Sequence, residues 1–243
     1  MYMKKIINTL CIACFALITV SFVVTKKAPR VLVFSKTKGF HHASIPFGIA
    51  AVQKLGTENN FVVDTTTDAT LFTRRNLKKY AAVIFLNTTG DVLNAEQQEA
   101  FEKYIRSGKG FLGVHAATDT EYDWPWYNQL VGAYFKSHPK QQEAMLTVTD
   151  PTHISTGHLP AQWKRFDDWY NFKSIQNGLH VLLTIDEKSY TGGENGDVHP
   201  MAWYHEFDGG RAFYTELGHT DASYADPLFL KHLLGGIQYA MTK

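Results

Sequence analysis

The sequence predicts an α/β domain: a doubly wound, mostly parallel sheet with helices on both faces and a β-rich, loop-rich insertion after the central strand. Three observations predict it. Short apolar runs, too brief for helices, recur through the first half at Arg30–Ser35, Phe61–Val63, Ala81–Leu86 and Gly110–Val114, and such runs read as strands buried on both faces. Segments of helical spacing alternate with them, and successive βα units build a parallel sheet because each crossover returns the chain to the same edge. Beyond Phe135 the rhythm changes to shorter β-like runs separated by loops.

Taken in order, Arg30–Ser35 supplies the first strand, and Lys36 to His42 form a polar loop at its end. Ser44 followed by Pro46 predicts an N-cap and a first helical turn, where the N–H that proline lacks is not needed. Ile45, Ile49, Val52 and Leu55 then fall on one helical face. Phe61–Val63 and Ala81–Leu86 are the second and third strands, with a short helix or turn between Asp68 and Lys79. Asn94 and Gln97 form a capping box for a helix with the apolar stripe Phe101, Tyr104 and Ile105, closed by Gly108. Gly110–Val114 is the fourth strand and delivers His115. Trp126 to Phe135 reads as a short helix, Ala144–Thr149 and Val181–Ile185 as strands of the insertion, and Met201–Phe207 and Arg211–Thr215 as the last two strands. Asp226 and Pro227 start a final helix with Phe229, Leu230, Leu233, Leu234, Ile237 and Met241 on its buried face.

Residues 1–28 carry Lys4 and Lys5, an apolar run from Ile6 to Val24, and then Thr25-Lys26-Lys27. That is the order of a secretory signal, and the run is also long enough to stay as an N-terminal membrane anchor. The expected location is therefore exported: periplasmic, secreted, or held to a membrane through an uncleaved leader. Both cysteines, Cys11 and Cys14, lie in that leader. The remaining domain, residues 29–243, thus has no thiol nucleophile, thiolate ligand or disulfide. It is long enough for one sizeable core. Removing Lys4, Lys5, Lys26 and Lys27 takes the formal charge from +1 to −3, which leaves no basic field for nucleic acid.

The stretch Gly108 to Pro139 organises the chemistry. In open α/β sheets ligands bind beyond the carboxyl ends of the strands, so His42, His115 and His219, each following a strand, are expected to share one rim. Imidazoles there serve as general acids and bases or as neutral metal ligands. Glu216, three residues before His219, is placed to orient that ring, to ligate, or to act as a base. No compact motif such as HExxH is present, so a divalent metal such as zinc on His115 and His219 stands as an alternative to acid–base roles. His153, His158, His180 and His232 are expected only to make loop or cap hydrogen bonds. Gly113-Val114-His115-Ala116-Ala117 has the small-residue pattern of a nucleophile elbow, but histidine there does not readily form an acyl-enzyme, so triad acyl transfer is not expected.

Several segments together carry a resemblance: GFHH (Gly39 to His42), GKGFLGVHAATDT (Gly108 to Thr120), DWPWYNQLVGAYFKSHP (Asp123 to Pro139), DDWYNF (Asp167 to Phe172), HPMAWYHEFDGGRAFYTELGHT (His199 to Thr220) and DPLFLKHLLGGIQYA (Asp226 to Ala240). In this order they resemble the trehalose-utilisation, or ThuA-like, family over about Arg30 to Met241. His41 stands where an Arg is usual, and Asp168 where Glu often precedes the Trp-Tyr pair. The resemblance implies a flavodoxin-like fold similar to class I glutamine amidotransferases, without the amidotransferase cysteine, and a role in the metabolism of trehalose or related disaccharides. An enzyme acting on such a sugar, which includes a keto-sugar, would use His115, His219, Glu216 and Asp119 in catalysis. His42, Trp124, Trp126, His138, Asp168, Trp169, Tyr170, His199 and Trp203 would bind the carbohydrate, the aromatic rings as stacking walls. The alternative is a non-catalytic sugar-binding module on the same scaffold.

Overall fold

The computed structural model describes residues 27–242; the leader lies almost wholly outside them. Among the described residues no helix is long and apolar enough to cross a membrane. The apolar runs become strands β1 (Arg30–Phe34), β2 (Val62–Thr66), β3 (Ala82–Leu86) and β4 (Gly110–Val114). Every residue of β3 and β4 is buried, as expected of strands covered on both faces. Helix α1 (Ile45–Glu58) links β1 to β2, the four-residue α2 (Arg74–Leu77) precedes β3, and α3 (Ala95–Arg106) links β3 to β4. Both bonds of the Asn94–Gln97 capping box are made, at 3.0 and 2.9 Å.

After β4 come α4 (Pro125–Val131), β5 (Tyr134–Ser137), β6 (Gln142–Val148), β7 (Gln162–Asp167), β8 (Asn171–Lys173) and β9 (His180–Ile185). The chain then runs through β10 (Pro200–Phe207), β11 (Gly210–Thr215) and α5 (Pro227–Met241). Nine strands form one sheet in the order β2-β1-β3-β4-β11-β10-β9-β6-β7. The first five run parallel, and from β10 outward each neighbour is antiparallel. The insertion therefore extends the main sheet, apart from the separate antiparallel pair β5-β8. Helices α1 and α5 cover one face of the parallel half, and α3 and α4 the other.

Three local expectations differ from the structure. Helix α4 stops at Gly132, where the chain turns left-handed (φ 97°), and Tyr134 and Phe135 belong to β5. Ser44 precedes α1 but makes no side-chain cap. Its hydroxyl instead donates to the carbonyl of Gly218 (3.3 Å) and accepts from Asn87 Nδ2 (3.0 Å). Those bonds tie the ends of β1, β3 and β11 together. Strand β7 has no counterpart in the sequence reading, because its inward residues are Trp163, Arg165 and Asp167 while Phe166 faces solvent.

Candidate active site

Strand β4 ends in a turn of 3₁₀ helix, His115–Thr118, which His115 enters with φ 47°. A left-handed backbone is unfavourable for a residue with a Cβ and persists only where the surroundings impose it. Here the His115 carbonyl accepts from Tyr214 Oη (2.8 Å) and Thr118 Oγ1 (3.3 Å). The flanks are small of necessity, since a Cβ on Gly113 would stand 3.0 Å from the Cβ of Ala117. The elbow pattern is thus a real sharp turn, and it presents an imidazole.

His42, from the β1–α1 loop, and His219, from the segment after β11, meet His115 there. The three ring centroids are each 5.0 Å from the other two, with the ring planes nearly perpendicular. One nitrogen from each ring lies within 4.8 Å of the others. Among the described residues this is the cluster able to hold a metal ion. His115 Nδ1 is 2.7 Å from the carbonyl of Glu216, an acceptor only, so Nδ1 carries the hydrogen and Nε2 presents its lone pair. His219 Nδ1 sits 3.1 Å from that lone pair and donates to it.

Carboxylates surround the rings. Asp168, 2 % exposed, has Oδ2 3.4 Å from His219 Nδ1 and Oδ1 3.0 Å from His138 Nδ1. Hydrogen-bond geometry is met in neither case: His138 Nδ1 is directed at the carbonyl of Pro139 (2.9 Å), and Asp168 Oδ1 has no partner. Glu216 is fully buried, with Oε1 3.6 Å from His115 Nδ1 and accepting from the N–H of Tyr170 (3.1 Å). Its burial, with Asp167 nearby, pushes its carboxyl well above the ordinary range. Burial lowers all three imidazoles, and for His42 burial together with the neighbouring His115 and His219 brings the pKa to about 2. The rings are neutral as a result. Asp119 lies half-buried at the end of the 3₁₀ turn and accepts from Tyr122 Oη (2.7 Å). Burial raises its pKa, and the Tyr122 bond opposes the rise.

A second layer fixes the segment that bears His219. Gly218 takes φ 115°, and a Cβ there would lie 2.8 Å from Tyr224 Oη. Its carbonyl accepts from Ser44, Asn87 and Tyr224, and its N–H donates to Asp167 Oδ2 (3.2 Å). Asp167 also accepts from Ser223 Oγ (2.9 Å) and from the N–H of Asp168 (3.1 Å). Arg165 binds Asp226 and Ser223 beside it.

The aromatic residues divide between rim and interior. Tyr170 packs on His115 (centroids 4.2 Å), Phe135 packs on Tyr170 (4.3 Å), and His138 stands 5.9 Å from both. Phe40, 64 % exposed, lies edge-on to His42 at 4.8 Å. Neither Phe40 nor Phe135 is among the site residues expected from the sequence, although Phe40 stands two residues before His42 in the GFHH motif.

Four indoles expected as stacking walls are instead interior or remote. Trp169 and Trp203 are fully buried, their Nε1 groups donating to the carbonyls of Gln142 and Val131. Trp124 donates to Glu102 of α3 and stacks on Trp126 (5.0 Å). Trp126 packs on Phe207 and donates to Asp208 in the β10–β11 turn, at the far end of the sheet. An indole can be buried at low cost once its single N–H has a carbonyl partner. His199 is buried too. It stands between the Tyr170 carbonyl (2.8 Å) and Glu187 (2.9 Å), behind the rim, and supports Tyr170 without reaching the site. His153, His158 and His232 hydrogen-bond locally, to Ser155, to Leu228, and to Ser155 with Thr215. The large cleft at the amino ends of the strands, about 1060 Å³ and lined in part by Arg30, Asp64 and Lys109, carries none of the clustered histidines.

The chain aligns with known proteins along nearly its whole described length. A ThuA-like protein from Bacteroides uniformis is 25% identical, with TM-score 0.75, covering 88% of this chain and 93% of that one. A ThuA-like protein from Parabacteroides merdae is 21% identical, with the same TM-score of 0.75 and coverage of 89% and 91%. A GMP synthase protein from Thermoplasma acidophilum shares the fold at 10% identity and TM-score 0.53, covering 88% and 94%. No curated protein matches the chain. The ThuA family profile, described as trehalose utilisation, matches residues 30–240, and the chain belongs to that family, on a glutamine amidotransferase-like fold.

Proposed function

We propose that this chain is an exported enzyme of carbohydrate metabolism that acts on trehalose, a related disaccharide or its keto form at the rim formed by His42, His115 and His219. The observation that carries the reading is the convergence of three imidazoles with the carboxyl groups of Asp168 and Glu216 at the carboxyl ends of β1, β4 and β11. A neutral imidazole presents a lone pair to a substrate proton, and Asp168 beside His219 stabilises the imidazolium that results. A keto group makes the adjacent C–H acidic enough for such a base, so no nucleophile is required. Phe40 and His138, both exposed, offer faces on which the CH-rich side of a sugar ring can rest, whereas Tyr170 is buried between His115 and Phe135 and backs the site. Export rests on the leader in residues 1–28.

The test separates turnover from binding. His115→Ala and Phe40→Ala are assayed on trehalose and keto-trehalose, with binding measured by calorimetry. His115→Ala is expected to lose at least about 10²-fold in turnover, in line with removal of a general acid or base, while retaining its fold. Phe40→Ala is expected to weaken binding with little change in stability. Unchanged turnover in His115→Ala removes the enzyme reading. Sugar binding without turnover by the parent favours the binding module.

A further inference from the structure

We infer that His42, His115 and His219 form a site for one divalent cation of the zinc class, with one nitrogen of each ring as a ligand. The inference rests on the active site proposed above and names its cofactor. Zinc–nitrogen bonds of about 2.0–2.1 Å in a tetrahedron place neighbouring nitrogens roughly 3.3–3.4 Å apart. The His115 Nε2–His219 Nδ1 edge is 3.1 Å, close to that length. The remaining edges are within 4.8 Å.

Unsatisfied atoms point the same way. His42 is 2 % exposed and its Nδ1 meets no partner. Leaving such an atom buried and unpaired is unfavourable, because it gives up its bond to water and gains none in return. Asp168 Oδ1 and Glu216 Oε2, in the surrounding layer, are also unpartnered. The neighbouring guanidinium of Arg165 is engaged by Asp226, Ser223 and Asp167, and Oδ1 of the buried Asp168 meets no partner. A buried carboxylate is balanced by pairing or by a metal, and a cation amid the imidazoles lies beside Asp168. Three rings merely hydrogen-bonded to one another leave His42 Nδ1 without a partner.

The outer contacts also suit ligation. The carbonyl of Glu216 fixes the hydrogen of His115 on Nδ1 and aims the Nε2 lone pair at the centre of the cluster, as outer-layer carbonyls do for metal-bound histidines. With the cation bound, His219 takes its Nε2–H tautomer, which frees Nδ1 to ligate. Tyr170 on His115 and Phe40 on His42 shield the cluster from bulk water.

The experiment uses the full-length protein, purified without a metal-affinity tag. Metal content is measured by mass spectrometry, and the chelator-treated protein is then titrated with Co²⁺, followed by its tetrahedral visible absorption, and with Zn²⁺ by calorimetry. One equivalent per chain is expected. His42→Ala and His219→Ala should each weaken binding by more than about 100-fold, since loss of an outer partner alone costs about 10–100-fold. His180→Ala, on the exposed surface, should not. Circular dichroism verifies the fold of each variant, and the parent titration stands whether or not a variant folds. A folded parent that binds neither ion overturns the site, as does equal binding by the His42 and His219 variants. Tight binding without turnover on any sugar keeps the site and removes the enzyme reading; full turnover by metal-free protein does the reverse.

Discussion

Asp167 is the residue whose loss should most directly loosen the site without touching its rings. It is fully buried and accepts three hydrogen bonds, from the N–H groups of Gly218 and Asp168 and from Ser223 Oγ. In Asp167→Ala the serine hydroxyl can turn to Thr220 Oγ1, 3.0 Å away, but the two N–H groups have no alternative. Each orphaned buried donor costs about 1–3 kcal/mol, and Arg165 loses the anion whose Oδ2 lies 3.8 Å from its Nη2. The expected loss is about 3–5 kcal/mol, similar to breaking a buried charged pair. At about 2–4 °C per kcal/mol for a chain of this size, Tm should fall by roughly 6–20 °C. Asp167→Asn, which keeps one acceptor oxygen, should fall between the parent and the alanine variant. Urea denaturation of the three proteins, compared at equal m-value, measures this. A loss below about 1 kcal/mol in Asp167→Ala would refute the reasoning, because an orphaned N–H costs at least that.

Two further outcomes follow from the buried groups. His232 is fully buried and its pKa is lowered to about 3, chiefly by burial, with His158, Arg165 and His153 adding to the effect and the Ser155 carbonyl opposing it. The unfolded state then binds more protons between pH 6.5 and 3, so this contribution to stability is complete above pH 6.5 and is lost as pH falls toward 3, by about 1.4 kcal/mol per unit. His232→Gln should flatten the stability–pH curve of the parent over that window, and an unchanged slope contradicts the assignment. Gly110→Ala would set a Cβ 1.9 Å from the carbonyl oxygen of Ala240, so α5 must shift off β4. The cost should exceed the roughly 1–3 kcal/mol of ordinary overpacking, seen as low soluble yield, whereas Gly178→Ala meets nothing within 4 Å and bears only the strain of φ 80°, about 1–2 kcal/mol, and should stay soluble.

The sequence made the parallel half legible because β3 and β4 are uninterrupted apolar runs, β1 is one after Arg30, and the helix after β3 carries its capping box. It made His42, His115 and His219 legible for a related reason: residues just past such strands share a rim. The insertion was harder to read. In β7 the alternation runs against hydropathy, with Arg165 and Asp167 inside and Phe166 outside, because a buried ion network replaces apolar packing there. Nothing in residue type reveals that exchange. The indoles misled for the opposite reason: Trp169 and Trp203 sit beside polar motifs, and only coordinates show that their N–H groups are met by Gln142 and Val131. Asn87 and Tyr224, which hold the Gly218 carbonyl, left no mark at all, since each is far from it in sequence or ordinary in type.

The strand that comes last in chain order is the middle strand of the sheet. β11 lies fifth of nine, between β4 and β10, and it leads directly into His219. Until residues 210–219 are available, β4 has one bare edge and the histidine cluster lacks a member. Long-range pairing of this kind is slow and leaves unpaired edges exposed meanwhile. Assembly of the histidine cluster thus waits for the segment made latest among the strands, so a chain cut short before Gly210 lacks His219 and keeps the edge of β4 bare. Proteolytic loss of everything from Gly210 onward would dismantle the cluster as surely as substitution of the rings themselves.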